Sequence, residues 1–200
     1  MKGIKNILGK AVSAVSSYGC LIVVERPLPY EPSSRIRSSL NHASQKYSFR
    51  QLNISEKASF EKYLKFDSRG ITKGDVLWAL RHNEICFFAE KDNGIVSSLC
   101  IALNSFPFPK LSPMKALFHG KAYIKDIFVA PSFRGSGVAV LMLSEGLKII
   151  SEMGFEKTAT IINQNNKTSL GFFAKMGFTP SHKLYYVRIG PFRKHFLRSF

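Results

Sequence analysis

Apolar positions along the chain follow two periods, and the change from one to the other marks out the elements. Ala122–Val129 and Thr158–Ile162 are short apolar runs of strand length, and Leu184–Ile189 is a third. Between them Gly137–Met153, ended by Gly154, and Lys167–Met176, ended by Gly177, repeat at helical spacing. Strands that alternate with helices closed by glycine predict an α/β layer structure. Upstream, Tyr47–Leu52 reads as a strand, Ser55–Lys65 as a helix with Ser55 as candidate cap, and Asp75–Arg81 as a second helix. Glu84–Glu90 and Ile95–Leu103 flank Lys91-Asp92-Asn93-Gly94, a hairpin signal, so these two strands should pair antiparallel. Residues 104–120 carry Pro107, Pro109 and Pro113 without a period and predict a surface loop bordering a site. Residues 27–46, with Pro27, Pro29, Pro32 and five serines, predict an extended arm. The expected division is an arm over 1–46, a compact domain over 47–189 and a tail over 190–200, with no internal repeat.

At the amino end Met1, Ile4, Leu8, Val12 and Val15 fall on one helical stripe, with Lys2, Lys5 and Lys10 off it. That is a short basic amphipathic helix, which either lies at a membrane interface or packs on the domain. A signal peptide fits poorly: AVSAVSSYGCLIVV is diluted by serines and runs into Glu25-Arg26-Pro27 rather than a small-residue cleavage site. No run approaches the roughly 18 apolar residues of a spanning helix.

The 200 residues fit one domain, and 45% hydrophobic with 21% charged residues is ordinary globular composition. The net charge of +16 is not ordinary. Residues 1–50 hold eight basic and two acidic residues, 51–156 hold thirteen and eleven, and 157–200 hold eight and none. A basic excess at both ends reads as a docking surface for an acidic partner, against the simpler alternative of a solvated face. Three cysteines without C-x-x-C spacing and five scattered histidines speak against a disulfide framework and a zinc module, and no metal is expected. Cys86 and Cys100 read as core residues of the hairpin.

The chemistry concentrates in Pro131-Ser132-Phe133-Arg134-Gly135-Ser136-Gly137-Val138-Ala139, between a strand and a helix. A helix amino end offers unpaired N–H groups and partial positive charge, and the two glycines let phosphate oxygens approach the backbone. The dinucleotide fingerprint would need glycine where Val140 stands, and the P-loop would need Gly-Lys-Ser/Thr. Both phosphate motifs therefore fail.

With those residues in view the chain resembles the GNAT superfamily of N-acetyltransferases. The family's pyrophosphate signature, Gln/Arg-x-x-Gly-x-Gly/Ala, is met by Arg134 through Ala139. The strand end Asp126-Ile127-Phe128-Val129-Ala130-Pro131 is similar to the family's, and Asn166 through Phe178 is similar to its Asn-x-x-Ala-x-x-x-Tyr-x-x-x-Gly-Phe segment. The resemblance implies a mixed, mostly antiparallel sheet in an α+β arrangement, whose central parallel strands Ala122–Val129 and Thr158–Ile162 splay to admit the pantetheine arm of acetyl-CoA. It implies that Ile127 and Val129 bind the cofactor through main-chain groups, and that Arg134, Gly135, Ser136, Gly137, Val138 and Ala139 hold the pyrophosphate. Asn166 would bond the pantetheine, alone or while capping its helix, and Phe173 would lie beside it.

Two acid/base residues common among relatives are replaced. Phe173 stands where many have a proton-donating tyrosine, and Lys125-Asp126 stands where spermidine/spermine acetyltransferases have Glu-Asp. Asp126 is the only carboxylate between Asp92 and Glu145 and is the candidate base, with a structural pairing to Lys125 or Arg134 as its alternative. Tyr123, Tyr185, Tyr186 and His182 are reserve candidates. A thiolate can also leave unaided, since an ordinary thiol pKa is near 8.5.

The expectation is thus an acetyl-CoA-dependent N-acetyltransferase of bacterial type, transferring directly to a primary amine without a covalent enzyme intermediate. The acceptor is open. One version is an amino sugar or lipid-linked amine at an anionic membrane, with a cytoplasmic protein held peripherally at the inner face by its amino helix and the tail Pro191 to Phe200. A second is charged tRNA, as for toxin-like relatives, with the basic ends along the nucleic acid. A third, of another class, is a catalytically silent CoA-binding module.

Overall fold

The computed structural model of the protein describes residues 17–53, 55–66, 73–103, 116–189 and 192–200. The predicted amphipathic helix at residues 1–15 and most of the proline-rich loop lie outside the described residues. Eight strands form one sheet: β1 (Ser17–Pro27), β2 (Ser48–Gln51), β3 (Glu84–Lys91), β4 (Gly94–Leu103), β5 (Ala122–Val129), β6 (Lys157–Asn163), β7 (Thr179–Ile189) and β8 (Phe192–Ser199), in the spatial order β2-β3-β4-β5-β6-β1-β7-β8. Five α-helices are described: α1 (Ser34–Ser44), α2 (Lys57–Phe66), α3 (Lys73–Arg81), α4 (Val138–Glu152) and α5 (Lys167–Lys175). Among the described residues only β5 and β6 pair in parallel. None of the described helices is long and apolar enough to cross a membrane.

The long helix α4 lies on one face, where Leu141, Met142, Leu147 and Ile150 are buried with Phe87, Leu99, Ile101 and Ile124 of the sheet. On the other face α2 and α3 bury Phe60, Tyr63 and Val76 against Cys86 and Phe88. A smaller cluster on that second face, Val23, Ala102, Phe118, Tyr123, Ala159 and Leu184, extends it past the parallel pair.

Three segments differ from the sequence-based expectation. First, the run Cys20-Leu21-Ile22-Val23-Val24 is the middle of a central strand. Cys20, Ile22 and Val24 belong to the α4-side core and Val23 to the opposite cluster, so both faces are buried and the alternating signal of a half-exposed strand is absent. Second, the expected arm contains α1. Ser33 caps it, its hydroxyl accepting from the Ile36 amide at 3.4 Å, and Pro32 precedes the cap, where proline does no harm. Ile36, Leu40 and Ala43 form its apolar stripe toward the core. Third, the basic aromatic tail is an edge strand, with Leu184↔Leu197 and Tyr186↔His195 in register. The segments 1–46 and 190–200 thus contribute strands to the same sheet as the expected domain.

The hairpin forms with a two-residue turn. Lys91 pairs with Gly94, and Asp92 (φ 51°) and Asn93 (φ 62°) take the positive φ values. A bulge then shifts the register by one, which sets Cys100 opposite Cys86, and the two are joined as a disulfide. The expectation of two separate core thiols is corrected by that register, which composition cannot reveal; Cys20 is buried and free.

Candidate functional site

The parallel pairing of β5 and β6 ends almost as soon as it begins, at Ala122↔Thr158 and Tyr123↔Ala159. Thr158 and Thr160 donate their hydroxyls to the Ala122 and Ile124 carbonyls at 3.1 and 2.8 Å, closing the apex of the split. Beyond it β5 stays bound to β4 along one edge only. The Phe128 carbonyl accepts from the Ser97 hydroxyl at 2.7 Å and the Ala130 amide donates to Val96, so these two residues turn their main chain toward β4. By the two-residue alternation of a strand, Ile127 and Val129 turn theirs into the open gap. The Val129 carbonyl accepts there from the Arg134 Nε at 3.4 Å, and the other main-chain groups along this edge are placed to bond a ligand.

The gap leads into a groove of about 870 Å³, toward the upper end of small-molecule sites at roughly 300–1,000 Å³. Ile127 and Val129 line it, as do Arg134, Gly135, Gly137, Val138 and Ala139 of the loop and Asn166 of α5. Gly137, at φ 88°, is the residue before the first turn of α4, and its main chain passes 3.6 Å from Ala43 and the Ser39 carbonyl of α1 as measured to the position a Cβ would take. The positive φ is what favours glycine here, since a Cβ would meet α1 only at ordinary contact distance. The amides of Val138 and Ala139 lie in the first turn, where no helix acceptor exists. Ser136 instead folds its hydroxyl onto the Phe133 carbonyl at 2.6 Å, which braces the loop. Asn166 caps α5 by accepting from the Ser169 amide at 3.0 Å, leaving its side-chain NH₂ as the donor a ligand can use. Among the described residues the groove lining holds Arg35, Arg134 and Lys175 and no Asp or Glu.

Phe173 is sequestered: its ring is buried edge-on to Phe172 and Phe178, and Phe172 is the one that lines the groove. Sequence reasoning missed the contribution of α1, whose Ser33, Arg35, Ile36 and Ser39 line the groove as well. The Ile36, Leu40, Ala43 spacing was the available signal, masked by the prolines and serines around it.

On the opposite face, a bulge in β5 decides where the charges go. Ile124 pairs with Ile101 and Asp126 with Cys100, so Lys125 is the extra residue. The bulge turns the two consecutive charged side chains, Lys125 and Asp126, away from the α4 core, where Ile124 and Ile127 point. Lys125 does not pair with Asp126; its ammonium donates to both carboxylate oxygens of Glu84, at 3.0 and 2.9 Å. Glu84 is almost wholly buried and Lys125 about a third exposed. The Lys125 ammonium also lies 5.8 Å from the ring centre of Trp78, an exposed residue stacked on His82. Tyr123 sits on this face too. Burial, reinforced by the negative charges of Asp126 and Glu84, pushes its phenol far above the ordinary range, so it holds its proton.

The other candidates scatter. His182 and Tyr186 share the Tyr123 face, opposite Val23 and Gly19 in register, and the Nδ1 of His182 lies 3.1 Å from the Ser181 hydroxyl, which donates to Glu25. Tyr185 packs on the α4 side instead.

A sheet split at a parallel pair, with a glycine loop and a helix start at the mouth of the split, is the arrangement that the motif resemblance implies. The family model described as acetyltransferase (GNAT) family matches residues 47–178, and the chain belongs to that family. No curated protein matches it in sequence. Among solved structures it is similar in fold to a GCN5-related glucosamine N-acetyltransferase region of a fungal multi-domain GH3 β-N-acetylglucosaminidase, at 14% identity and TM-score 0.63 over 98% of this chain and 23% of the other. It is also similar to a GCN5-related N-acetyltransferase from Sphaerobacter thermophilus, at 15% identity and TM-score 0.58 over 98% and 58%. The aminoglycoside N-acetyltransferase AAC(6′)-Iy in complex with CoA matches at 21% identity and TM-score 0.51 over 66% of this chain and 91% of that one. The chain thus spans about a quarter of the fungal protein and somewhat over half of the Sphaerobacter one.

Proposed function

We propose that the protein is an acetyl-CoA-dependent N-acetyltransferase that transfers acetyl directly to a primary amine. The observation that carries this reading is the continuity of the split with the cradle. Ile127 and Val129, the loop residues Gly135, Gly137, Val138 and Ala139 with their main-chain amides, and the Asn166 cap line one groove, while the Arg134 and Ser136 amides are spent bracing the loop on Pro131 and Phe133. The lining groups present donors and acceptors where a pantetheine has amides and a pyrophosphate has oxygens. When bound there, acetyl-CoA supplies an activated acetyl thioester.

The chain's own groups then divide the work by face. Asp126, turned to the acceptor face by the bulge, takes the proton from an approaching ammonium, directly or through water, so that the amine is neutral when it attacks. Tyr123 can only donate a proton, because its phenol stays protonated. Lys125 is held by Glu84 through both carboxylate oxygens.

An amino sugar is the acceptor class we favour, on the exposed Trp78 beside the Lys125–Glu84 pair, a flat ring of the kind that stacks against a sugar face. Fold neighbours that act on glucosamine and aminoglycosides agree with it. The burial of Phe173 away from the groove favours, as second reading, a CoA-binding module without turnover.

Thiol release from acetyl-CoA, measured against amino sugars, lipid-linked amino sugars and charged tRNA, tests the proposal. Acceptor-dependent release with an N-acetylated product by mass spectrometry is expected for the amino sugars. Tight CoA binding without release on any acceptor would leave the silent module, and failure to bind CoA would remove both.

A further inference from the structure

The cations that line the groove come from three elements: Arg134 from the loop, Lys175 from α5 and Arg35 from α1. Arg134 lies at the cradle, with its Nε 3.4 Å from the Val129 carbonyl. Together with the loop amides it is placed for a pyrophosphate diester. That leaves Arg35 and Lys175 without an anion to match among the described residues of the lining, which include no carboxylate. On α1 itself the neighbouring Arg37 has Glu31 at 3.4 Å, whereas no ion pair involves Arg35 among the described residues.

We propose that Arg35 binds the 3′-phosphate of CoA, so that α1, a helix preceding the matched family segment, discriminates CoA from 3′-dephospho-CoA. The inference rests on the reading of the groove as a CoA site and adds a specificity-determining residue to it. A phosphate monoester carries a charge of about −1.5 to −2 near pH 7, more than either phosphodiester-like oxygen pair of the pyrophosphate, and is the strongest unmatched anion such a ligand brings. Guanidinium is the cation suited to it, because its planar fork donates two parallel hydrogen bonds to phosphate oxygens. The placement is fixed by packing. Ala43 and the Ser39 carbonyl lie against Gly137, which anchors α1 across the mouth of α4, and Ile36 beside Arg35 is held by the core. Arg35 is therefore an exposed side chain on an immobilised first turn at the groove edge.

The test is isothermal calorimetry of CoA and 3′-dephospho-CoA on the full chain and on three variants. The wild type should prefer CoA. Arg35→Ala should weaken CoA by about tenfold and dephospho-CoA by less than about twofold, and Arg35→Lys should restore part of the preference. Arg37→Ala, whose guanidinium faces Glu31, should leave both affinities within about twofold and serves as the control for general charge on α1. Equal losses for both ligands in Arg35→Ala, or a wild type that does not distinguish them, would overturn the assignment while the CoA site stands. Loss of the preference in Lys175→Ala with Arg35→Ala unaffected would move the phosphate to α5 and overturn it as well. A wild type that binds neither ligand would overturn the groove reading along with it.

Discussion

The two faces of the split sheet are built on different principles. On the α4 side the groove is lined largely by main chain: the free edge of β5, the glycine loop and the first turn of a helix. On the α2 and α3 side the polar groups are side chains, Asp126, Tyr123, Lys125, Glu84 and Trp78, of which Glu84 and Tyr123 are buried, brought together from β5, β3 and α3 by the bulge at Lys125. A site made from backbone is a local property of sequence, since a strand, a glycine turn and a helix start are contiguous. A site made from side chains on several elements exists only once the chain has folded. The first kind tolerates change everywhere except at its glycines, and the second can be altered residue by residue.

The sharpest way to break the contrast is at Gly137. A tryptophan there must take a positive φ and places its ring toward Ala43 and the Ser39 carbonyl of α1, at the edge of the groove that Ser39 and Gly137 both line. Gly137→Trp should weaken CoA by more than about a hundredfold in calorimetry while the protein stays folded by circular dichroism. Affinity unchanged in a folded variant would show that the backbone cradle is not where the phosphates bind. On the acceptor face the corresponding change is Asp126→Asn, which keeps shape and removes the base. We expect turnover on an amine acceptor to fall by about a hundredfold with CoA affinity unaltered, which separates the two faces kinetically. Full turnover across the pH range would pass the role of base to water.

The same contrast explains what was legible beforehand. The strand, loop and helix from Ala122 to Glu152 were readable because each signal is local, and so were the hairpin and the cap at Asn166. The central strand at Ser17–Pro27 was not, because a run buried on both faces alternates in nothing and its neighbours in the sheet, β6 and β7, lie some 130 to 170 residues along the chain. Helix α1 was hidden by prolines that stop before its cap. Glu84 could not have been found at all from sequence: a lone glutamate at a strand start becomes the partner of Lys125 only through the pairing of β3, β4 and β5.

The Lys125–Glu84 pair predicts a stability effect of intermediate size. Removing one member of a fully buried ion pair costs roughly 3–5 kcal/mol, and because Lys125 keeps a third of its surface in water the expected loss for Glu84→Gln is nearer 1–3 kcal/mol in urea unfolding. Adding Lys125→Met to Glu84→Gln should recover part of it, since no uncompensated charge is then left. If the single and double variants are equally unstable, the pair is not coupled and Lys125 is free to act on Asp126 or on the acceptor.

The smallest expected effect concerns Tyr123, and it tests whether the acceptor face is as dry as the structure has it. Its phenol is pushed upward by burial first and by Asp126 and Glu84 second, so folding favours the neutral form. A group raised in the folded state adds stability that is complete below its unfolded pKa, about 10 for tyrosine, and that is lost as pH rises beyond it. The difference in unfolding free energy between the wild type and Tyr123→Phe should therefore be flat between about pH 7 and 9 and move against the wild type above about pH 10, by no more than about 1.4 kcal/mol per pH unit. Tyr30 is raised as well, by burial at the other end of the sheet, but it is present in both proteins and cancels in the difference. In ultraviolet titration of the native protein the Tyr123 phenolate should appear only with unfolding. A difference that stays flat through pH 11 would mean that the phenol ionises as freely folded as unfolded. Tyr123 would then be accessible to water, open to service as a base at high pH, and the acceptor face would be wetter than its burial implies.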